Sequence, residues 1–128
     1  METKNPEPAK KPEPIVVKAR LRIGGYGSKP LAEADSMFFR HPRVFEDRSI
    51  LFPRPRDYQV TPRTVGVSTG EWPKPPNPLN THYVEVIMEV RGQPGKIDQW
   101  LKDTLGRTSR YASKAEMERI EDEDVETE

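Results

Sequence analysis

The stretch "THYVEVIMEVRG", residues 81–92, is the strongest secondary-structure signal in the chain. Its residues alternate in character: one face would hold Val84, Val86, Met88 and Val90, and the other Tyr83, Glu85, Ile87 and Glu89. A period of two is typical of a strand with one buried face. The sequence therefore predicts a long or central strand that ends at Gly92.

The next stretch, "QPGKIDQWLKDTLG", changes to a helical period. Its apolar residues stand at positions i, i+3, i+4 and i+8, namely Ile97, Trp100, Leu101 and Leu105. Gly106 is well placed as the residue just past the helix end, where a left-handed backbone conformation is common. We predict a helix that ends there and that buries Trp100 in the core.

A second alternating segment begins at Ile15. One face would hold Val17, Ala19, Leu21 and Ile23, and the other Val16, Lys18, Arg20 and Arg22. This pattern predicts a half-buried strand with a basic outer face. A helix is predicted over residues 30–39, because Pro30 suits a first turn and because Leu31, Ala34 or Asp35, and Phe38 have helical spacing. Pro42 would end it.

The glycine-rich stretch "GGYG", residues 24–27, joins this strand to the helix. It does not match a Walker loop, and Pro30 stands where the third glycine of a GxGxxG loop is needed. The GXXG clamp of KH domains has the same spacing but joins two helices, whereas a strand precedes Gly24. A turn whose glycines supply positive φ is favoured, and phosphate contact by its backbone amides is the alternative.

The remaining segments are rich in proline or charge. We predict a short strand over 48–52, irregular structure around the prolines at 53, 55 and 62, and another short strand in "TVGVSTG", residues 64–70. "EWPKPPNPLN", residues 71–80, predicts a rigid extended connector that Trp72 anchors against a surface. Ser113 and Glu116 have capping-box spacing, which predicts a short helix before the acidic end.

Composition indicates a small core. Hydrophobic residues make up 33% of the 128 residues and charged residues another 33%, and 14 residues are proline. Such a chain buries little apolar surface for its length. The predicted class is α+β: a small antiparallel or mixed sheet with two short helices, flanked by extended Pro-rich segments and disordered termini. The expected organisation is a Pro-rich extended arm (1–14), one α+β domain (15–112) with an irregular Pro-rich middle (53–80), and an acidic C-terminal tail (113–128).

Residue types with catalytic or metal-binding chemistry are sparse. The chain has no cysteine, and its two histidines, His41 and His82, are distant in sequence. Glu85 and Glu89 would share a strand face about 13 Å apart, which is wider than a glycosidase pair. We therefore expect no enzymatic activity and predict no catalytic, cofactor-binding or metal-binding residue. The absence of a secretory h-region and of any ~20-residue apolar run predicts a soluble, non-secreted protein without membrane contact.

Arginines and aromatic residues are concentrated in residues 40–63. The residues predicted to bind a partner are Arg40, Arg43, Arg48, Arg54, Arg56 and Trp72. Arginine can bind phosphates or carboxylates through its planar fork. Because Glu46, Asp47 and Asp57 lie among these arginines and the chain has zero net charge, pairing with carboxylates within or between subunits is favoured.

A small domain with adhesive, proline-rich arms suits a subunit that docks into a large assembly. We expect a non-enzymatic structural protein whose partners are other protein subunits, including copies of itself. Since zero net charge disfavours a particle dominated by nucleic acid, the expected setting is a phage or virus particle, as an accessory protein of the head, neck or tail. The alternatives are a nucleic-acid-binding accessory protein that uses residues 40–63, and a small regulatory or inhibitory binding protein.

Overall fold

A four-stranded antiparallel sheet covered on one face by helices forms the domain. A computed structural model describes residues 13–47, 51–112 and 114–120. The elements in chain order are β1 (Ile15–Tyr26), α1 (Lys29–Phe39), α2 (Val44–Asp47), α3 (Pro55–Tyr58), β2 (Thr61–Glu71), β3 (His82–Gly92), α4 (Pro94–Tyr111) and β4 (Ala115–Ile120). The strand order is β2-β3-β1-β4. With α2 and α3 as one-turn insertions, this is the β-α-β-β-α-β, or ferredoxin-like, topology. The predicted α+β class is confirmed, and the sheet is antiparallel.

The two alternating segments pair with each other at the centre of the sheet. Their apolar faces meet in register, with the Cα pairs Val17–Val90, Ala19–Met88, Leu21–Val86 and Ile23–Val84. Each of these eight residues is at most 6% exposed. Both predicted strands are thus confirmed, and their shared face is the floor of the core.

Helix α4 supplies the largest core side chain, as predicted. Trp100 is fully buried and stacks on Phe52, with ring centroids 6.1 Å apart. Its Nε1 donates a 2.8 Å hydrogen bond to the Pro53 carbonyl, so the indole's one polar group is satisfied. The aromatic cluster therefore joins α4 to the segment that follows α2.

The predicted end of this helix at Gly106 is wrong, because α4 continues to Tyr111. The buried face also continues, through Thr104 and Thr108. Each threonine hydroxyl donates to the carbonyl four residues earlier, at 2.7 and 2.8 Å. A glycine inside a helix costs about 1 kcal/mol, and burial of the following turn outweighs that cost here.

Helix α1 is confirmed, but it packs by its other face. Ser28 caps it, its Oγ accepting from the Leu31 amide. The buried residues are Ala32, Ser36 and Phe39, whereas Leu31 and Phe38 lie on the solvent side. Small side chains at 32 and 36 let the helix approach β2 and β3 closely, and Phe39 fills the space at its end.

The proline-rich middle is more ordered than predicted. Within the predicted strand 48–52, Leu51 and Phe52 lie in a turn, and residues 48–50 are outside the described part of the chain. The predicted short strand over 64–70 is confirmed as part of β2, which is eleven residues long and extends further into the region 53–80 than predicted. β2 accommodates Pro62 because it is an edge strand. The predicted rigid spacer is wrong as well: the Trp72 amide donates to the Thr81 carbonyl at 2.9 Å, so residues 72–81 form a hairpin loop.

The C-terminal part of the sequence was also predicted incorrectly. Instead of a short helix after Ser113, Ala115–Ile120 forms the edge strand β4, paired with β1. Met117 packs against the core, while Glu116 and Glu118 face outward. This alternation is typical of a strand, although Ser113 and Glu116 also have the spacing of a helix capping box. The rest of the predicted acidic tail, 121–128, lies outside the described residues, as does 1–12 of the predicted arm.

The glycine turn is held by a buried amide. Asn80, 1% exposed, accepts hydrogen bonds through Oδ1 from the Gly25 amide at 2.5 Å and from Trp72 Nε1 at 3.0 Å. Gly25 has φ +111°, as predicted for this turn. Gly24 is needed for another reason: a Cβ there would lie 2.6 Å from Asn80 Oδ1 and 2.9 Å from Trp72 Nε1.

The buried indole gives a direct test of the core. We expect Trp100→Ala to lower the free energy of unfolding by about 3–5 kcal/mol, typical of deleting a buried large aromatic side chain. Tyr111→Ala, at a position 64% exposed on the same helix, should change it by less than about 0.5 kcal/mol. Urea denaturation measures both. A loss below about 1 kcal/mol for Trp100→Ala would contradict the assignment.

Two glycines should respond in opposite directions to the same substitution. Gly24→Ala should destabilise the fold by about 1–3 kcal/mol, because the added methyl meets Asn80 and Trp72. Gly106→Ala should stabilise it by about 0.5–1 kcal/mol, since Gly106 lies inside α4 with open space around it. Thermal unfolding of both variants provides the comparison, and equal effects would refute this account of Gly24.

Candidate functional site

Most of the arginines predicted to bind a partner have contacts within the chain. Arg43 pairs with Glu46 at 3.3 Å, and Arg54 pairs with Asp57 at 3.2 Å. These two pairs confirm the predicted pairing with carboxylates at those positions. Arg56 is exposed and makes no ion pair within the described residues, and Arg48 lies outside them.

Arg40 protects an edge of the sheet. Its Nη2 donates a 2.8 Å hydrogen bond to the Val67 carbonyl in the edge strand β2. The same strand carries Pro62 and an irregularity in register between Thr64 and Gly66. Proline, bulges and charged side chains are the features by which proteins prevent edge strands from pairing with other chains. This edge is thus poorly suited to accept another strand.

Trp72 is buried in the hairpin loop. It is 3% exposed, its ring lies 4.7 Å from that of Tyr83, and the Lys114 Nζ lies 4.5 Å above its centroid. Its side chain anchors the loop against the sheet, which agrees with the anchoring role predicted from the sequence. It leaves almost no surface for a partner.

Residues from three stretches, 42–46, 54–56 and 60–62, line a groove beside the start of β2. The groove encloses about 640 Å³ and is lined by Pro42, Phe45, Glu46, Arg54, Pro55, Arg56, Val60, Thr61 and Pro62. Its floor is apolar, since Phe45 and Val60 are each 5% exposed. Arg54 and Arg56 stand exposed at its rim. The structure therefore brings two of the predicted arginines together. The groove depends on the bends at α2 and α3, which residue spacing did not indicate.

The outer face of the sheet is electrically compensated. The arginines that the sequence placed on this face of β1 are matched by carboxylates on its neighbours: Arg22 with Glu85 at 2.9 Å and Arg20 with Glu118 at 2.8 Å. The hydrogen bond that Arg22 Nε donates to Glu85 Oε1 raises the pKa of Arg22. The predicted basic outer face therefore exists, but its charge is largely neutralised.

This face also lacks a free aromatic platform in its described part. RNA-binding sheets stack bases on exposed aromatic rings. The ring of Tyr83 lies between Trp72, at 4.7 Å, and the Arg22 guanidinium, at 4.8 Å from its centroid. Stacking a base there would require displacement of one of these two neighbours.

Helix α1 exposes apolar side chains to solvent, beyond the residues that the sequence pattern predicts to bind a partner. Leu31, Met37 and Phe38 are 60%, 69% and 59% exposed. Leu79 in the hairpin loop, 79% exposed, lies next to Gly27, just before α1 begins. Contiguous exposed apolar surface marks interaction sites. Leu31 and Phe38 have helical spacing in the sequence, but local spacing does not indicate which face of the helix meets the sheet.

Comparison with models of known protein families and with curated protein sequences found no match. Within residues 13–47, 51–112 and 114–120, no group of three or more histidine or acidic side chains could hold a metal ion. No helix in that same part of the chain combines the length and apolar character needed to cross a bilayer.

A tyrosine beside the groove has a testable ionisation. The Tyr58 hydroxyl donates to Asp103 Oδ2 at 2.5 Å, and this bond raises the pKa of Tyr58 above its ordinary value of about 10. The neutral phenol is favoured in the fold, so the stabilisation is present below pH ~10 and is lost as pH rises through the raised pKa. Tyrosinate absorbance, compared with that of Tyr58→Phe, reports this titration. Asp103→Asn should lower the Tyr58 pKa, whereas Asp98→Asn on the same helix should leave it unchanged.

Proposed function

We propose that the protein is a non-enzymatic interaction subunit that docks into a large protein assembly through the solvent face of α1. One observation carries this proposal: Leu31, Met37 and Phe38 are more than half exposed on a helix whose opposite face is packed on the sheet. Apolar and aromatic side chains of this kind supply most of the energy at protein interfaces. A partner with an apolar groove would bury them.

The edges of the sheet favour a helix-mediated contact. β2 has Pro62, an irregular register and the Arg40 bond to its backbone, all of which oppose strand addition. β4 is only six residues long and carries charged side chains. A partner that adds a strand would meet these obstacles, whereas a partner that receives a helix face would not.

The setting we propose is a phage or virus particle, in which the chain is an accessory subunit of the head, neck or tail and contacts other subunits, including its own copies. Zero net charge supports a protein-dominated particle. The pairing of Arg43 and Arg54 with carboxylates, together with the compensated outer face, further supports protein partners over nucleic acid. The alternative of nucleic-acid binding through residues 40–63 is left with few unpaired arginines among the described residues.

The test is incorporation of α1 variants into particles. Leu31→Glu/Phe38→Glu should weaken docking by at least about 30-fold, because the loss of even one apolar hot spot costs roughly 2 kcal/mol. The control, Lys29→Glu/Glu33→Lys, exchanges the charges of an exposed pair on the same helix and should sediment like the wild type. Velocity sedimentation of lysates from the native host measures the fraction that is particle-bound, and circular dichroism checks folding.

Two outcomes would overturn the proposal. Full incorporation of the Leu31→Glu/Phe38→Glu chain would show that α1 is not the docking face. A wild-type chain that sediments only as a monomer would contradict the proposal that the protein is part of a large assembly. Release of the wild-type chain by nuclease treatment would instead support the nucleic-acid alternative.

A further inference from the structure

The groove beside β2 combines a positive rim with an apolar floor. Arg54 has a side chain 67% exposed and pairs with Asp57 at 3.2 Å, whereas Arg56 is exposed without an ion pair in the described part of the chain. The carboxylate in the groove lining, Glu46, is paired with Arg43, so Arg56 supplies the uncompensated positive charge of the rim. Phe45 and Val60 form the buried floor, and three prolines also line the groove. The groove is a separate surface from the outer face of the sheet and from the exposed face of α1.

Its chemistry selects an acidic segment with an apolar residue. Arginine guanidinium groups bind carboxylates in a fork geometry, with charge-assisted hydrogen bonds. A floor of proline, valine and phenylalanine offers nothing to a polar side chain but can bury a small apolar one. The groove is open to solvent, so a chain segment can lie along it.

The protein has such a segment of its own. Residues 121–128, "EDEDVETE", hold six acidic residues and one apolar residue, Val125. They follow β4 directly. With no basic residue among them, they are opposite in charge to the rim formed by Arg54 and Arg56.

The register of the sheet shows that this segment can reach the groove. Ile120, the last residue of β4, pairs with Lys18, which pairs with Glu89, which pairs with Arg63. This row crosses three strand spacings, so Ile120 and Arg63 are about 14 Å apart. Arg63 directly follows Pro62 in the groove lining. Eight residues span up to about 26 Å, nearly twice that distance.

We propose that the groove binds residues 121–128 of the same chain, through Arg54 and Arg56 at the rim and the apolar floor beneath. A short connection gives an intramolecular segment an effective concentration in the millimolar range, so even a weak site is filled within one chain before it is filled by a second copy. The bound segment covers the positive rim and excludes other acidic ligands from it. This inference is separate from docking through α1.

The experiment uses the absence of cysteine from the chain. Thr127→Cys provides a single attachment point for a nitroxide spin label on the full-length protein. At low salt, the label should broaden the amide signals of Val60 and Thr61 in ¹⁵N-correlated NMR spectra. High salt should restore those signals, because exposed ion pairs are screened.

Matched variants test the rim. Arg54→Gln/Arg56→Gln should weaken the bound state about fivefold or more, the effect of losing two exposed ion pairs. Lys102→Gln/Arg110→Gln removes the same charge from the exposed side of α4 and should leave the broadening intact. Chemical shifts of core residues such as Val86 verify that both variants remain folded.

Three results would overturn the proposal: no broadening at Val60 and Thr61, broadening that persists unchanged in Arg54→Gln/Arg56→Gln, or broadening that arises only between chains. Broadening between chains is detected by mixing spin-labelled chains of natural isotope abundance with ¹⁵N-labelled chains that carry no spin label. Broadening in that mixture would assign the occupant of the groove to a second copy. Because the measurement uses the isolated protein, the Leu31→Glu/Phe38→Glu variant should retain the broadening. Failure here is therefore distinguishable from failure of docking through α1.

Discussion

The register between β1 and β3 is the constraint on which the rest of the structure depends. One alignment of the two strands brings Leu21 beside Val86 on the core face and Arg22 beside Glu85 on the outer face. A slip by one residue would turn charged side chains of one strand into the core. The apolar residues on one face and the charged residues on the other therefore specify the same register of β1 against β3.

This pairing also determines which surfaces remain for function. Carboxylates from β3 and β4 neutralise the arginines of β1, so the outer face presents paired charges rather than a basic platform. Helices cover the inner face. Two exposed surfaces of the described part of the chain differ from this paired face: the apolar side of α1, and the groove with Arg54 and Arg56 above an apolar floor.

Helix α1 illustrates how a correct local prediction can still miss the functional surface. Two stripes on this helix have helical spacing, one through Leu31 and Phe38 and the other through Ala32, Ser36 and Phe39. Hydrophobicity favours the first stripe. The second meets the sheet, because small side chains permit a close approach to β2 and β3. The large side chains are consequently displaced to the solvent side, where they become a candidate interface.

The sequence by itself determined the elements whose signal is local: the two alternating strands, the helix over 30–39, and the helical face that buries Trp100. Periodicity suffices there, because each element's own residues define its buried side. Only the tertiary structure decided the elements that depend on distant neighbours. Residues 115–120 are a strand because β1 offers an edge, where Glu118 and Glu116 lie opposite Arg20 and Arg22. The proline-rich stretch after Trp72 turns back because Asn80 accepts hydrogen bonds from the Trp72 indole and the Gly25 amide. The groove arises where α2 and α3 bend the chain beside β2. Its lining residues come from three separate stretches, and no local pattern records that they meet.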